Sequence, residues 1–198
     1  MSTVERGESM TRIKPSAPDA TPELEDTLQH FTKQLGYVPN NILILSRIPR
    51  IAKAMAQATT ALWHPDSEVD RGLKRLVAYM ASRTHGSKYS MAHAAESAHR
   101  AGVDTAKLEA IDEYHTSPLY TEAERVTLDF AIAAASQPNA VTNALFDKMK
   151  QHWTETQFVE ITAVVAMNGF LNRWNDTVGA EIEPAPLEFA TKHLPRHF

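Results

Sequence analysis

Residues 73–103 read LKRLVAYMASRTHGSKYSMAHAAESAHRAGV, and this stretch decides the fold. Apolar residues recur three or four positions apart in its first half, which places them on one face of a helix predicted over residues 68–84. Gly86 then ends the pattern, because glycine readily adopts left-handed backbone angles. A second helix is predicted to begin near Ser87 and to end at Gly102. The stretch therefore indicates two helices that pack antiparallel across a short turn.

The same periodicity extends on both sides of this pair. Helices are predicted over residues 22–35, 41–47, 49–63, 104–114 and 141–153. Two more are predicted to open at capping boxes, in which a threonine and the residue three positions later satisfy each other's free amides. These pairs are Thr121 with Glu124 and Thr154 with Gln157. Since no segment alternates with period two for long enough to form a sheet, the predicted fold class is all-α, a helical bundle.

The chain divides into three predicted parts. Residues 1–20 lack periodicity and are interpreted as a flexible arm, or as an extended segment laid over a neighbour. Residues 21–183 form a single helical domain. Residues 184–198 carry three of the chain's prolines and are predicted to be an irregular tail with at most a turn or two near residues 187–193.

Composition excludes several classes of function. A net charge of -4 offers no basic surface for nucleic acid, and no apolar run approaches the length of a membrane span. We therefore expect a cytoplasmic protein that has neither nucleic acid nor a membrane as partner. The chain has no cysteine, which excludes a thiol nucleophile, a thiolate metal ligand and a dithiol redox cycle.

Residues 73–103 resemble the core signature of the carboxymuconolactone decarboxylase/AhpD-like family, in which a helix leads to a Gly-Cys-x-Tyr-Cys turn and then to an Ala-His helix start. Shorter matches are GYVPN at 36–40, TSPL at 116–119, EAER at 122–125 and GFLNRWND at 169–176. The resemblance covers most of the chain from about residue 21. It implies an AhpD-like helical bundle, assembly into dimers, trimers or hexamers, and either alkylhydroperoxidase-like oxidoreductase or decarboxylase-like lyase activity on a small molecule.

Ser87 and Ser90 stand where the family's peroxidases carry their two cysteines. Thiols suit a helix start because the positive end of the helix dipole stabilises a thiolate, and two thiols one turn apart can close a disulfide. A serine hydroxyl has neither the acidity nor the redox chemistry. The resemblance thus carries both residues into the catalytic position, while their chemistry predicts that thiol peroxidase activity is absent.

Two further positions depart from the family's proton relay. Arg75 stands in place of a glutamate and Ala94 in place of a histidine, although His93 beside it matches the subgroup with the long C-terminal helix. His93 is therefore the candidate general base or acid. One alternative is a cofactor-free acid–base enzyme of decarboxylase or isomerase type, in which Arg75 or Arg173 holds an anionic substrate. The other alternative is a non-catalytic, oligomeric protein that binds a small molecule.

Other residues near the turn have both functional and structural interpretations. Ser90 and His93 could form a catalytic dyad oriented by Glu96, whereas capping of the helix is the more common role of serines at a helix start. His93, Glu96 and His99 are spaced too widely around the helix to share one ion, so no metal and no cofactor is predicted. The remaining candidates for lining a pocket are His85, Tyr89, Asn172 and Trp174, and the run 172–176 could equally form a buried polar network or a subunit interface.

Overall fold

A computed structural model describes residues 11–198, and within that range the chain forms ten α-helices and no β-strand. The all-α prediction is confirmed. The helices are α1 (Glu25–Leu35), α2 (Asn40–Leu45), α3 (Pro49–Leu62), α4 (Arg71–His85), α5 (Lys88–Arg100), α6 (Thr105–Glu109), α7 (Glu122–Ala135), α8 (Asn143–Lys150), α9 (Glu155–Val178) and α10 (Pro184–His193).

Helix α4 is the centre of the bundle. It packs against α5, α7 and α9, and its residues from Gly72 to Ser82 are buried almost without interruption. Gly86 has φ of 77° and turns the chain directly into α5, as its position in the sequence predicts. Burial on several sides at once fixes the relative positions of α4, α5 and α9, which are the helices that carry most of the site described below.

Side-chain caps fix the starts of five of the described helices, α4, α6, α7, α8 and α9. Both predicted capping boxes are present, at α7 and at α9. Helix α4 begins at Arg71, three residues later than predicted, because the Asp70 side chain accepts a hydrogen bond from the Leu73 amide at 2.8 Å and so fixes the first turn. The predicted helix over residues 104–114 is shorter: α6 ends at Glu109 and a 3-10 turn follows.

The expectation of an irregular tail over residues 184–198 was wrong, because α10 occupies Pro184–His193 and packs against α5. Pro184 and Pro186 lie in its first turn, where amide hydrogens have no partner within the helix, so proline is compatible with a helix there. Prolines that read as helix breakers in the sequence therefore mark a helix start.

The segment before α1 lies along the bundle. Ile13 donates its amide to the Val178 carbonyl at 3.1 Å, and the Ser16 amide donates to the Leu43 carbonyl at 3.2 Å. The first ten residues of the predicted arm lie outside the described residues, and the division into arm, domain and tail stays a prediction. Between residues 11 and 198, no helix combines the length and apolarity needed to cross a bilayer.

Candidate functional site

A cavity of about 150 Å³ lies between α1, α2, α3, α4, α5 and α9. A cavity of this size accommodates a benzene-sized molecule. Apolar side chains such as Phe31, Ile42 and Leu171 form much of its wall. Polar lining residues come from all six helices, and they are Gln34, Asn41, Thr59, Arg75, Tyr89, Ser90, His93, Ser97, Asn168 and Asn175.

His93 is held by a buried carboxylate. Its Nε2 lies 2.5 Å from Oε2 of Glu183, and the side chains are 18% and 7% exposed. An ionised carboxylate can only accept hydrogen bonds, so Nε2 donates, and a neutral imidazole here carries its lone pair on Nδ1. The hydroxyl of Tyr37 lies 3.4 Å from Nδ1, a long contact. His93 lines the cavity, and Nδ1 is its nitrogen that is not engaged by Glu183.

The Glu183 carboxylate is surrounded by donors. Besides His93 it accepts from the Asn40 amide at 2.5 Å and from the Tyr89 hydroxyl at 3.0 Å. Burial acts to raise the pKa of Glu183, but the hydrogen bond and charge of His93, together with the Asn40 amide, outweigh burial and lower that pKa below its ordinary value. Glu183 is thus a carboxylate at neutral pH, and it joins α2, α5 and the start of α10.

Tyr89 supports the same pair. Its ring stacks on the His93 imidazole with 4.4 Å between ring centroids. Burial, and then the nearby Glu183 carboxylate, raises the pKa of Tyr89 well above its ordinary value of 10.0. Tyr89 therefore stays protonated and donates its hydroxyl hydrogen to Glu183.

The two serines form part of a hydrogen-bonded chain. Asn175 donates its side-chain amide to Ser90 Oγ at 3.0 Å, the two serine Oγ atoms lie 3.3 Å apart, and Ser87 Oγ donates to Asp176 Oδ1 at 2.8 Å. Burial raises the pKa of Asp176, although the Ser87 hydrogen bond opposes that rise. Ser87 occupies the N-cap position of α5, but its hydroxyl makes no capping bond, so the capping interpretation was wrong for Ser87.

The Ser90–His93 dyad is not assembled, and His93, Glu96 and His99, for which no shared metal was predicted, have separate partners. Within residues 11–198 no hydrogen bond joins Ser90 to His93, because His93 is engaged by Glu183. Glu96 pairs with Arg100 at 2.7 Å, and His99 stacks on Phe189. Glu96 therefore does not orient His93, and these three side chains face different partners.

Arg75 lines the cavity without a carboxylate partner. Its guanidinium lies 3.5 Å from the centroid of the Trp63 ring, and its Nε is buried with no hydrogen-bond partner among the described residues. Burial, aided by the charge of Arg71, lowers the pKa of Arg75 to about 9. The guanidinium is still charged at neutral pH, so the cavity has a positively charged wall.

The other pocket candidates divide into two groups. Tyr89 lines the cavity, as Arg75 does. His85 and Asn172 instead line a separate surface pocket on the far side of α9, and Trp174 packs beneath α2 in the apolar core. The structure therefore brings Arg75, Tyr89, Ser90 and His93 to one cavity. Ser87 does not line this cavity, but its hydroxyl contacts that of Ser90, which does.

Sequence reasoning missed Glu183, Tyr37 and Asn41. Tyr37 lies in the GYVPN stretch, which counted only as a family match, and Asn41 directly follows it. Glu183 precedes Pro184, and an acidic residue before a proline is a helix-start signal that a correct interpretation of the tail would have recognised. That signal places a helix there, but nothing in the sequence pairs Glu183 with a residue ninety positions earlier.

The sequence of this chain is similar to that of a known protein over part of its length. No family model matches the chain. It is 31% identical to the uncharacterized protein YnjA of Escherichia coli (strain K12) over 72 residues, which are 36% of this chain and 40% of YnjA. That match therefore spans less than half of YnjA.

Solved structures match over nearly the whole length. The apo debrominase Bmp8 is 31% identical, with a TM-score of 0.83 over 92% of this chain and 97% of Bmp8. A cysteine-to-alanine variant of Bmp8 in complex with 2,3,4-tribromopyrrole gives a TM-score of 0.84 at the same identity and coverage. A peroxidase-related protein with an alkylhydroperoxidase AhpD core, from Ralstonia eutropha JMP134, gives 0.79 at 20% identity over 93% of this chain and 97% of that protein, a likeness that shows the fold.

Replacing Glu183 by glutamine tests the central carboxylate. Because the pKa of Glu183 is lowered in the folded state, its charge stabilises the fold above the ordinary value of 4.5, and this contribution disappears as the pH falls through the lowered pKa. We expect Glu183→Gln to lose about 2 kcal/mol of unfolding free energy at pH 7, the scale of hydrogen bonds to a charged group. Urea unfolding across pH should show the difference from wild type shrinking below pH 4.5.

The exposed Glu181 offers a matched control. Glu181→Gln should leave the unfolding free energy nearly unchanged at every pH. A loss in Glu183→Gln that stays constant down to the acid limit would show that the carboxylate's charge does not stabilise the fold.

Proposed function

The chain belongs to the carboxymuconolactone decarboxylase/AhpD-like family, and we propose that within it this protein is a cysteine-independent acid–base enzyme that uses His93 on a small single-ring carboxylate or carbonyl compound. The observation that carries this proposal is the His93–Glu183 pair at the wall of a cavity. A carboxylate that orients an imidazole and stabilises its protonated form is the usual support of a catalytic histidine.

Thiol peroxidase chemistry does not fit this chain. Ser87 and Ser90 carry hydroxyls that are satisfied by each other, by Asn175 and by Asp176. The Ser87 hydroxyl donates to the Asp176 carboxylate, which does not line the cavity, and the Ser90 hydroxyl is bonded to no base among the described residues. The cavity's remaining proton acceptor is His93, and this favours proton transfer over redox chemistry.

A proton-transfer reaction follows from this geometry. His93 Nδ1 would accept a proton from a carbon next to the substrate's carbonyl or carboxyl group, and the electron pair of the broken C–H bond would remain on the substrate as an enolate. The Glu183 carboxylate stabilises the imidazolium that forms. Return of the same proton to a different carbon completes an isomerisation with no other reactant. The cavity volume of about 150 Å³ suits a substrate of one ring.

The likeness to Bmp8 supports a single-ring ligand. That debrominase, 31% identical over nearly its whole length, forms a complex with 2,3,4-tribromopyrrole, a single five-membered ring. The shared fold and the cavity between α4, α5 and α9 favour a ligand of similar size here. Dehalogenation itself is not carried over, since this chain's residues offer a base and an arginine instead of a thiol.

Deuterium exchange tests the role of His93. We expect the wild-type protein, incubated in D₂O with a panel of five- and six-membered-ring ketones and carboxylates, to speed C–H exchange in at least one compound, measured by proton NMR. His93→Gln should slow this exchange by about a hundredfold or more, the usual effect of removing a general base. His99→Gln is the control, because His99 is exposed on the same helix and stacks on Phe189 away from the cavity.

Two results would contradict the proposal. Exchange that persists in His93→Gln would remove His93 from the mechanism. Compounds that raise the melting temperature without any exchange would instead support a protein that binds a small molecule and does not turn it over.

The serine pair can be tested by restoring the family's cysteines. We expect Ser87→Cys with Ser90→Cys to form an internal disulfide under mild oxidation, because the two Oγ atoms lie 3.3 Å apart one helical turn from each other. Thiol titration should find both thiols lost on oxidation and recovered with dithiothreitol. Each single cysteine variant should keep its free thiol.

Peroxide consumption with a dithiol reductant completes this test. The wild-type protein should show none. Consumption by the wild-type protein would contradict the proposed loss of peroxidase activity, and free thiols in the oxidised double variant would contradict the geometry of the turn.

We also propose that copies of this chain associate through the outer face of α9. Val159 is 65% exposed and Phe170 is 44% exposed, and the exposed Ala163 and Ala166 lie between them along the helix. An apolar stripe of this length on a helix surface is typical of an interface.

Light scattering should give a mass above that of one chain, and Val159→Glu with Phe170→Glu should lower this mass. Leu119→Glu, at an exposed leucine elsewhere, should not, and a monomeric wild type would contradict the proposal.

A further inference from the structure

We propose that the cavity binds a planar, single-ring anion that also carries one hydrogen-bond donor, with Arg75 holding the negative charge and Asn41 accepting the hydrogen bond. This inference rests on the proposed function only in taking the cavity as the substrate site. It names the chemical features of the ligand, and these can be tested by binding alone.

The first feature is the unpaired guanidinium. Arg75 makes no ion pair and no hydrogen bond within residues 11–198, and its Nε is buried. A buried donor on a charged group is costly to leave without a partner. Because Arg75 lines the cavity, a ligand in the cavity can supply the missing acceptor, and a carboxylate matches the planar donor array of a guanidinium.

The position of the guanidinium is fixed before any ligand binds. Its stacking on the Trp63 ring, at 3.5 Å, restricts it to one plane, and Trp63 also lines the cavity. The charged neighbour that acts on Arg75 is Arg71, another cation. No carboxylate of the described residues forms an ion pair with Arg75, so the charge of the guanidinium is available to an anion in the cavity.

The second feature is a hydrogen-bond acceptor without a partner, the side-chain oxygen of Asn41, which is neutral where Arg75 is a charged donor. Asn41 donates its side-chain amide to Asn175 Oδ1 at 3.0 Å, and this leaves Asn41 Oδ1 buried without a partner among the described residues. The amide orientation is consistent along the chain, because Asn175 in turn donates to Ser90 Oγ. Asn41 Oδ1 can therefore only be satisfied by a donor, such as a ring N–H of the ligand.

Arg75 Nε and Asn41 Oδ1 differ from the other buried polar atoms of the cavity lining because they lack a hydrogen-bond partner among the described residues. Ser90, His93, Asn168 and Asn175 all make hydrogen bonds within the protein. Among the side chains that line the cavity, buried polar atoms without a partner in residues 11–198 occur at Arg75 and at Asn41. One donor that is charged, one acceptor that is neutral and room for one ring together define a small heteroaromatic acid.

Three probes of nearly equal shape separate these features. Pyrrole-2-carboxylate has the anion and the N–H, pyrrole-2-carboxamide lacks the charge, and furan-2-carboxylate lacks the N–H. We expect titration calorimetry to show the acid binding about tenfold or more tighter than the amide, and about fivefold or more tighter than the furan acid, as for ligands that leave a buried polar group unpaired.

Variants assign each preference to its residue. Arg75→Gln should abolish the preference for acid over amide, whereas Arg71→Gln, at an exposed arginine one turn earlier, should keep it. Asn41→Ala should abolish the preference for pyrrole over furan and leave the preference for the acid. A general loss of packing would weaken the binding of all three probes by the same factor. The ratios of their affinities therefore distinguish a lost contact to the ligand from a destabilised protein.

The outcomes separate this inference from the proposed function. Equal binding of acid and amide by the wild type, or an equal loss of preference in Arg71→Gln, would overturn the role of Arg75. Equal binding of the pyrrole and furan acids would overturn the role of Asn41. His99→Gln, at an exposed residue outside the cavity lining, should keep both preferences. Binding by the wild type that shows both preferences without any proton exchange would leave this inference standing while the acid–base function falls.

Discussion

The buried carboxylate of Glu183 is the interaction on which both the site and the end of the fold depend. It receives hydrogen bonds from Asn40 at the start of α2 and from Tyr89 and His93 in α5, and it stands directly before α10. A buried charge is tolerated only when it is paired and fully hydrogen-bonded, so these elements must close around Glu183 together. The same carboxylate fixes the orientation of the His93 ring. Stability and chemistry therefore share one group, and neither can be altered alone.

The serine turn shows how the family's reactive position can become a structural one. In this chain the α4–α5 turn still places two side-chain oxygens next to each other at the start of a helix, in contact with α9. Hydroxyls form hydrogen bonds better than thiols do, and here Asn175 and Asp176 satisfy them. The result is a polar link between α5 and α9 that holds the back of the cavity. The serine hydroxyls form a fixed network where the family's peroxidases carry two thiols, and His93 is the base that we propose.

Local patterns predicted most of the fold and only half of the site. Periodicity, capping boxes and Gly86 were sufficient for the central helices, because those signals act within one turn of the chain. The α10 helix was missed because its prolines were interpreted as breakers without regard to their place in the first turn. Arg75 and His93 were identified from the resemblance, but their states depend on residues far away in the sequence. Glu183 lies ninety positions from His93, and that proximity is set by packing, which local patterns do not encode.

The departure at Arg75 changes the electrostatics of the site as a whole. A glutamate at that position would add a second carboxylate to the one at Glu183, and the cavity would favour cations or neutral molecules. Arg75 and His93 instead line the same cavity of about 150 Å³, and Glu183 is hydrogen-bonded to His93. Under the proposed function, the arginine therefore sets which ligand charge the cavity can hold.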